Sequence, residues 1–287
     1  MSKDEIVRFL FENHGVRGEI MRTQQAMKDL FAHHTYPPVI ENLMMDLSTC
    51  ANLVAATLKA NGEIMMQIMC DKKQDGLKYA MINISRDLSF YGSASYNRER
   101  NYDFLSFQQL VGENAVLIIT VFPEQGNKYQ GIVALDRDNL ADCLEHYFDV
   151  SEQLATRILL FKNEKLKMTA GMLLQIIPNV KDNTKLLEHL YTLASTLRSE
   201  EVFNLSLHEC LYRLFWNEKT VVYEPKGISF RCICSKERCK NTLLNLGRHD
   251  LEELLKDAST TMTCQHCSKK YTFSKKELQD IYNMVNQ

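Results

Sequence analysis

Cys232 and Cys234 lie in Phe230-Arg-Cys-Ile-Cys-Ser-Lys-Glu-Arg238, and Cys264 and Cys267 lie in Thr263-Cys-Gln-His-Cys-Ser268. A Cys-x-Cys pair thus faces a Cys-x-x-Cys pair across a 29-residue spacer. Four thiolates in two close pairs suit tetrahedral zinc, which takes sulfur at about 2.3 Å in closed structural sites. The same pairs can instead close as two disulfides, so the residues alone allow a metal clasp when reduced and local disulfides when oxidised. A purely structural zinc site is the plainer reading of the spacing. A thioredoxin-type exchanger fits less well, because its Cys-x-x-Cys belongs at a helix start within a βαβ pattern, and none surrounds Cys264. Cys239, five residues past Cys234, reads as a bystander on a following helix. His266 reads as a solvent-facing residue of the Cys-x-x-Cys turn, and His249 as a surface helix residue.

Cys232 and Cys234 reach one ion if Phe230 to Cys234 is extended, since side chains two apart on a strand share a face. Between the pairs, Thr242 to Leu246 and Leu251 to Leu255 read as short helices split at Gly247. The module holds few large apolar residues and needs a staple. Structural zinc contributes roughly 10 to 16 kcal/mol in finger peptides at neutral pH, so loss of the metal is expected to unfold it.

Upstream, Ile6 to Met21 alternates as strands do around His14-Gly15. Gln24 to His33 and Val39 to Lys59 read as helices, with Leu43, Leu47 and Val54 at helical spacing. Ile64 to Ile68, Lys78 to Ile84, Ala115 to Phe122 and Tyr129 to Leu135 read as strands bounded by Gly, Asn and Asp. Asp138 to Phe148 reads as a helix capped by Asp138, with Leu140, Leu144 and Phe148 on one face. Gln153 to Phe161 and Thr169 to Ile177 are strands, although Met and Leu give the second a helical alternative. Pro178-Asn179 marks a boundary. Beyond it, Leu186, Leu190, Leu193 and Leu197 follow a 4-3-4 spacing, and Leu207, Leu211 and Leu214 repeat the pattern in a second short helix. Pro225-Lys-Gly227 then punctuates the start of the cysteine module. The fold class is α+β: an N-terminal mixed α/β-sheet domain (1–178), a helical linker (179–227) and a small four-cysteine zinc module (228–287).

The chain has 287 residues, 45% of them hydrophobic and 24% charged, with a net charge of −2. That composition is ordinary for a soluble globular protein and gives no sign of a nucleic-acid or membrane partner. Met1 to Glu5 lacks a basic-then-apolar signal pattern, and no run of about 18 apolar residues occurs. Nine cysteines, five of them outside the two pairs (Cys50, Cys70, Cys143, Cys210 and Cys239), fit a reducing cytoplasm.

Taken together, these residues resemble the redox-regulated 33 kDa chaperonin family, the bacterial heat-shock holdases. The resemblance rests on Phe230-x-Cys-x-Cys-Ser-x-Glu-Arg238, Leu244-x-x-Leu-Gly247, Leu251-Glu-Glu-Leu254, Cys264-x-x-Cys267 and Tyr271-x-Phe273. In the body it rests on Gln130-Gly-Ile-Val-Ala-Leu135, Tyr147-Phe148 with Ser151-Glu-Gln-Leu154, Ala170-Gly-Met-Leu-Leu-Gln175 with Pro178, and Leu211-Tyr-Arg-Leu-Phe215. It spans essentially the whole chain. Departures are Ala155-Thr156 in place of Pro-Thr, Asp71-Lys-Lys-Gln-Asp-Gly76 in place of a Gly-rich turn, and Tyr91-Gly92 in place of Arg-Gly.

The resemblance implies an ATP-independent chaperone of the cytoplasm rather than an enzyme. One zinc per chain would be held by Cys232, Cys234, Cys264 and Cys267 in the inactive reduced form. Oxidation would pair Cys232 with Cys234 and Cys264 with Cys267, release the metal and unfold the module and linker. The active form would be a homodimer that captures unfolding client proteins and prevents their aggregation. On this reading Leu186, Leu190, Leu193, Leu197, Leu207, Leu211 and Leu214 are packed when reduced and offered to clients when oxidised. The alternative from another class is a nucleic-acid-binding or regulatory zinc ribbon. Residues 228–287 hold ten Lys or Arg against seven Asp or Glu. Four thiolates and one zinc ion would leave that segment a net charge of only about +1, thin support for phosphate binding. No nucleotide-binding glycine loop, nucleophile elbow or His-Glu-x-x-His occurs, and four cysteines would leave no open metal position.

Overall fold

The computed structural model describes residues 4–12, 15–57, 62–71, 75–178 and 183–285. The chain starts with an antiparallel pair, β1 (Glu5–Phe11) and β2 (Val16–Thr23). Gly15, with φ of 66°, takes the left-handed conformation at the start of β2, while His14 lies outside the described residues. Asp4 receives the N–H groups of Gln24, Gln25 and Ala26 and so caps α1 (Gln25–Phe31). Next comes α2 (Pro38–Thr57), 20 residues long, with Pro38 at the first helical position, where its missing N–H is harmless. The expected end of this helix at Lys59 falls outside the described residues.

The strands β3 (Gly62–Met69), β4 (Leu77–Ile84), β5 (Ser89–Tyr96), β6 (Val116–Pro123) and β7 (Tyr129–Ala134) form a second sheet, with α3 (Phe107–Val111) between β5 and β6. After α4 (Leu140–Val150), β8 (Thr156–Asn163) and β9 (Met168–Ile176) return to the first sheet. Asn139, not Asp138, caps α4: its side chain accepts from the Asp142 N–H. Sequence reading missed β5 and α3. The run Ser-Phe-Tyr-Gly-Ser-Ala-Ser-Tyr lacks apolar alternation, and α3 is a five-residue helix marked only by its Ser106/Gln109 capping box.

Three helices follow: α5 (Thr184–Ala194), α6 (Ser199–Asn204) and α7 (Leu207–Phe215). The chain then adds the short strands β10 (Thr220–Val222), β11 (Lys226–Gly227) and β12 (Ser229–Phe230). β10 and β11 pair with β1, while β12 runs parallel to β5 in the second sheet. The first sheet has the order β10-β1-β2-β9-β8, with β11 also on β1; the second runs β12-β5-β4-β3-β6-β7.

Helix α2 explains the layering. It is buried nearly all round, including Ser48, Thr49 and Asn52, because it packs against both sheets. The Thr49 hydroxyl and the Asn52 amide N–H donate to the carbonyls of Met45 and Ser48, one turn back. A methyl group at Gly171 on β9 would stand 2.6 Å from Thr49 Cγ2, so glycine permits the close approach of helix and sheet. The opposite face of the first sheet carries a second core. Val7, Phe9, Phe11, Val16, Ile20, Met168, Ala170, Met172 and Leu174 meet α5 to α7 there. Covered on both sides, β9 lacks the alternation of a half-exposed strand, and its Met and Leu content is what gives it a helical alternative in sequence.

By its contacts the chain falls into two compact units, Met1–Phe230 and Arg231–Gln287. The second contains α8 (Lys236–Leu244), α9 (Arg248–Leu254), the hairpin β13 (Ser259–Thr263) and β14 (Lys270–Ser274), and α10 (Lys275–Val285). The two inter-cysteine helices expected from sequence are present, but the first starts six residues earlier because Ser235 caps it on the Arg238 N–H. The hairpin and α10 were not anticipated. Among the described residues no helix is long and apolar enough to cross a membrane.

Candidate metal centre

The ladder of β12 ends at Phe230, so Cys232 and Cys234 follow it on backbone outside the sheet. They precede α8, while Cys264 and Cys267 occupy the turn of the β13–β14 hairpin. That turn is closed by two backbone bonds, Cys264 N–H to the Lys269 carbonyl at 2.9 Å and Ser268 N–H to the Cys264 carbonyl at 2.9 Å. Ser268 takes the left-handed conformation, φ 55°, to allow it.

The four sulfurs converge, all within 4.8 Å of one another. Cys232 Sγ lies 3.7 Å from Cys264 Sγ, and Cys234 Sγ lies 3.4 Å from Cys267 Sγ. Sulfurs placed tetrahedrally at 2.3 Å around one ion would be about 3.8 Å apart. The cluster therefore fits a small tetrahedral, thiophilic ion. Cys239 is not among the four; it sits on α8 and packs against the small core. His249 is exposed on α9, as expected. His266 departs from expectation: it is half-buried, and its backbone N–H donates to Cys264 Sγ at 3.5 Å.

Electrostatics favour a cation here. Burial pushes the Cys232 and Cys267 thiols up from the usual thiol value. Burial acts the same way on Cys234, but the Tyr271 hydroxyl and the neighbouring thiols outweigh it and hold Cys234 below that value. Four thiolates crowded together repel, and a dication removes the penalty by deprotonating its ligands outright. Lys236 contributes less than its position suggests, because its ammonium pairs with Glu277 at 2.6 Å and lies over the Phe273 ring.

Sequence reading gave Tyr271 no role beyond its place in the family pattern. Its hydroxyl donates to Cys234 Sγ at 3.2 Å and lies 3.0 Å from the Cys234 carbonyl oxygen. Outer contacts of this kind orient metal ligands, and removing them typically costs about 10- to 100-fold in metal affinity. Tyr271→Phe keeps the ring and loses the hydroxyl, so it is expected to weaken metal binding by about tenfold. Competition with a coloured chelator measures this; unchanged affinity would assign the hydroxyl to packing alone.

The module around the centre is thin. Its core is Leu243, Leu251, Tyr271, Phe273, Leu278 and Ile281. In the other unit, Leu190, Leu197, Leu207 and Leu211 are buried against the first sheet, whereas Leu186, Leu193 and Leu214 are half-buried at the margin. The stripe of α5 is centred on Leu187, Leu190 and Ala194, the face that lies on the first sheet, and the helix stops at Ala194, so Leu197 joins the same core from beyond it. Val202 and Phe203 of α6 complete the layer. The local mark of that missed helix is half of a capping box: the Glu201 carboxylate accepts from the Arg198 N–H at 3.1 Å, while the donor-only Arg198 side chain offers no cap in return.

A family model described as Hsp33 protein matches residues 4–274. The 33 kDa chaperonin of Yersinia pestis (strain Pestoides F) is 38% identical over 284 residues, covering 98% of this chain and 95% of that protein. The 33 kDa chaperonin of Yersinia pseudotuberculosis (serotype O:1b, strain IP 31758) matches to the same extent. The crystal structure of the 33 kDa chaperonin (heat shock protein 33 homolog) of Thermotoga maritima superposes with a TM-score of 0.81 at 21% identity, over 99% of this chain and 100% of that one. At that identity the structural match speaks to fold alone.

Proposed function

The chain belongs to the Hsp33 family of chaperones, and from that premise we propose that it is a redox-regulated, ATP-independent holdase of the cytoplasm, resting when reduced and zinc-bound. The observation that carries this reading is the convergence of four sulfurs in a module with six buried core residues among those described. Cys232, Cys234, Cys264 and Cys267 would hold one zinc, which cross-links two stretches of a module that a core of this size does not sustain alone.

Oxidant acts on the sulfurs. A thiolate attacks peroxide, takes one oxygen as a sulfenic acid and releases hydroxide. A second thiolate then displaces that oxygen as hydroxide, or as water once protonated, and forms the disulfide. Each disulfide thus consumes two thiolates and one peroxide. Which sulfurs pair decides the outcome. The short contacts run across the pairs, Cys232 to Cys264 and Cys234 to Cys267. Bonds formed there would replace the metal cross-link by covalent ones, and closing loops of that length would stabilise the module by about 3 kcal/mol or more. Only the local pairing, Cys232–Cys234 and Cys264–Cys267, removes the ligands and leaves the two halves untied. A switch that opens therefore requires local pairing. Peptide mapping after peroxide is expected to find it; cross-pair disulfides, or Cys234–Cys239 as the main product, would sink the mechanism.

Unfolding of residues 228–287 would then loosen the linker, 179–227, and expose apolar surface. Leu186, Leu190, Leu193, Leu197, Leu207, Leu211 and Leu214 supply one side of that surface. The sheet face of Val7, Phe9, Ile20 and Met172 beneath them supplies the other, which sequence reading did not anticipate. Unfolding client proteins bind there, and the active species is a homodimer. Metal content, thiol count and suppression of light scattering by a heat-unfolded client, measured together before and after peroxide, test the proposal. Zinc loss and thiol loss without a gain in suppression would refute it.

A further inference from the structure

We propose that Arg22 is a polar latch that fixes the α6–α7 layer on the first sheet. Arg22 is on β2, on the same face as Val16 and Ile20, and it is only 4% exposed. Its Nη1 donates to the Val202 carbonyl at 3.0 Å and to the Leu205 carbonyl at 2.7 Å. Its Nη2 donates to Glu5 Oε1 at 3.1 Å, across the β1–β2 ladder where Glu5 and Arg22 are direct partners. Val202 is in the last turn of α6, and Leu205 is its C-cap. The last carbonyls of a helix have no intrahelical donor and carry the negative end of its dipole. A buried guanidinium from the sheet supplies both needs at once.

The latch does what the leucines cannot. Apolar contacts are non-directional and tolerate sliding, whereas a planar guanidinium with Nη2 held by Glu5 and both N–H bonds of Nη1 aimed at fixed carbonyls sets register. Once the layer lifts, Arg22 loses both carbonyls together, so the contact is all-or-none. Cys210 reports on this directly. It is 1% exposed, and its thiol donates to the Glu201 carbonyl at 3.7 Å, at the same α6–α7 junction. Cys50 and Cys143 are equally buried but belong to the other core, around α2.

The link from latch to activity rests on the holdase reading; the latch itself does not. The experiment uses the full-length, reduced, zinc-loaded protein, with N-ethylmaleimide labelling mapped by peptide mass spectrometry. In Arg22→Met, Cys210 is expected to label about tenfold faster or more than in wild type, because buried charge-assisted hydrogen bonds are lost. Cys50 and Cys143 should keep their wild-type rates, and zinc should be retained. Arg22→Lys keeps the charge but loses the planar fork, and its Cys210 rate should fall between the two. It also remains informative if Arg22→Met fails to fold. The same reduced Arg22→Met protein is expected to suppress client aggregation without oxidant. A Cys210 rate unchanged in both variants overturns the proposal, and so does a parallel rise at Cys210, Cys50 and Cys143, which would mark Arg22 as support for the whole unit. Faster Cys210 labelling without suppression would uphold the latch and count against the holdase reading.

Discussion

Replacing Cys232, Cys234, Cys264 and Cys267 together by Ser is expected to abolish metal binding, unfold residues 231–285 and loosen α5 to α7, leaving α2 and the two sheets of the first unit folded. The magnitudes decide this. The sulfur-held ion is worth about 10 kcal/mol or more in comparable small modules. A core in a module of this size rarely supplies more than about 3 to 5 kcal/mol. Six buried side chains do not offset the loss. The core between α2 and the two sheets, and the hydrogen bonds of those sheets, do not depend on the four sulfurs; the α5–α7 layer over the outer core is the part expected to loosen. Metal analysis and hydrogen exchange read the two effects separately. Exchange protection should vanish in α8, α9, β13, β14 and α10 and persist in β2, β9 and α2. The quadruple variant should also suppress client aggregation without peroxide, since the module is unfolded without any disulfide. Full zinc retention would show that the sulfurs are not the ligands. A module that stays folded without metal would remove the basis of the switch.

The second large effect is expected from Leu190→Asp. Leu190 is fully buried on α5, against the outer face of the first sheet. Truncating such a leucine costs about 2 to 5 kcal/mol, and an unpaired carboxylate adds a desolvation penalty to that. The docked layer cannot absorb such a cost, because α5 to α7 are short and owe their stability to the sheet. The reduced, zinc-bound variant is therefore expected to hold unfolding clients with little or no oxidant. Suppression of aggregation of a thermally unfolding client measures it. If the variant is folded, keeps its zinc and stays as inactive as wild type until oxidised, exposure of the linker is not the switch.

The metal centre was legible in the sequence because ligand chemistry is local. Two cysteines two apart and two cysteines three apart mark a candidate site for a thiophilic ion, or for two disulfides, before any fold is known, and the family pattern extends over the chain. Most long elements were legible for a related reason. Sequence pattern over eight or more residues marks α2, β3, β4 and β6, β9 is ambiguous because both its faces are covered, and α3 and α6 are too short to show a pattern. What sequence could not supply was partnership. Leu187 was overlooked and Leu186 named because a 4-3-4 series and the buried face of α5 differ by one residue, and only the sheet beneath selects the face. Arg22 is an unremarked cation in a strand until β2 and α6, 180 residues apart in sequence, bring it to the carbonyl of Val202. Tyr271 gains its role only when β14 lies beside Cys234. The residue types determined that four soft sulfur ligands stand in two close pairs, able to hold a metal ion or to form disulfides. The tertiary structure decided which apolar face is covered and which polar groups hold the cover, because burial and hydrogen-bond partnership depend on elements distant in sequence.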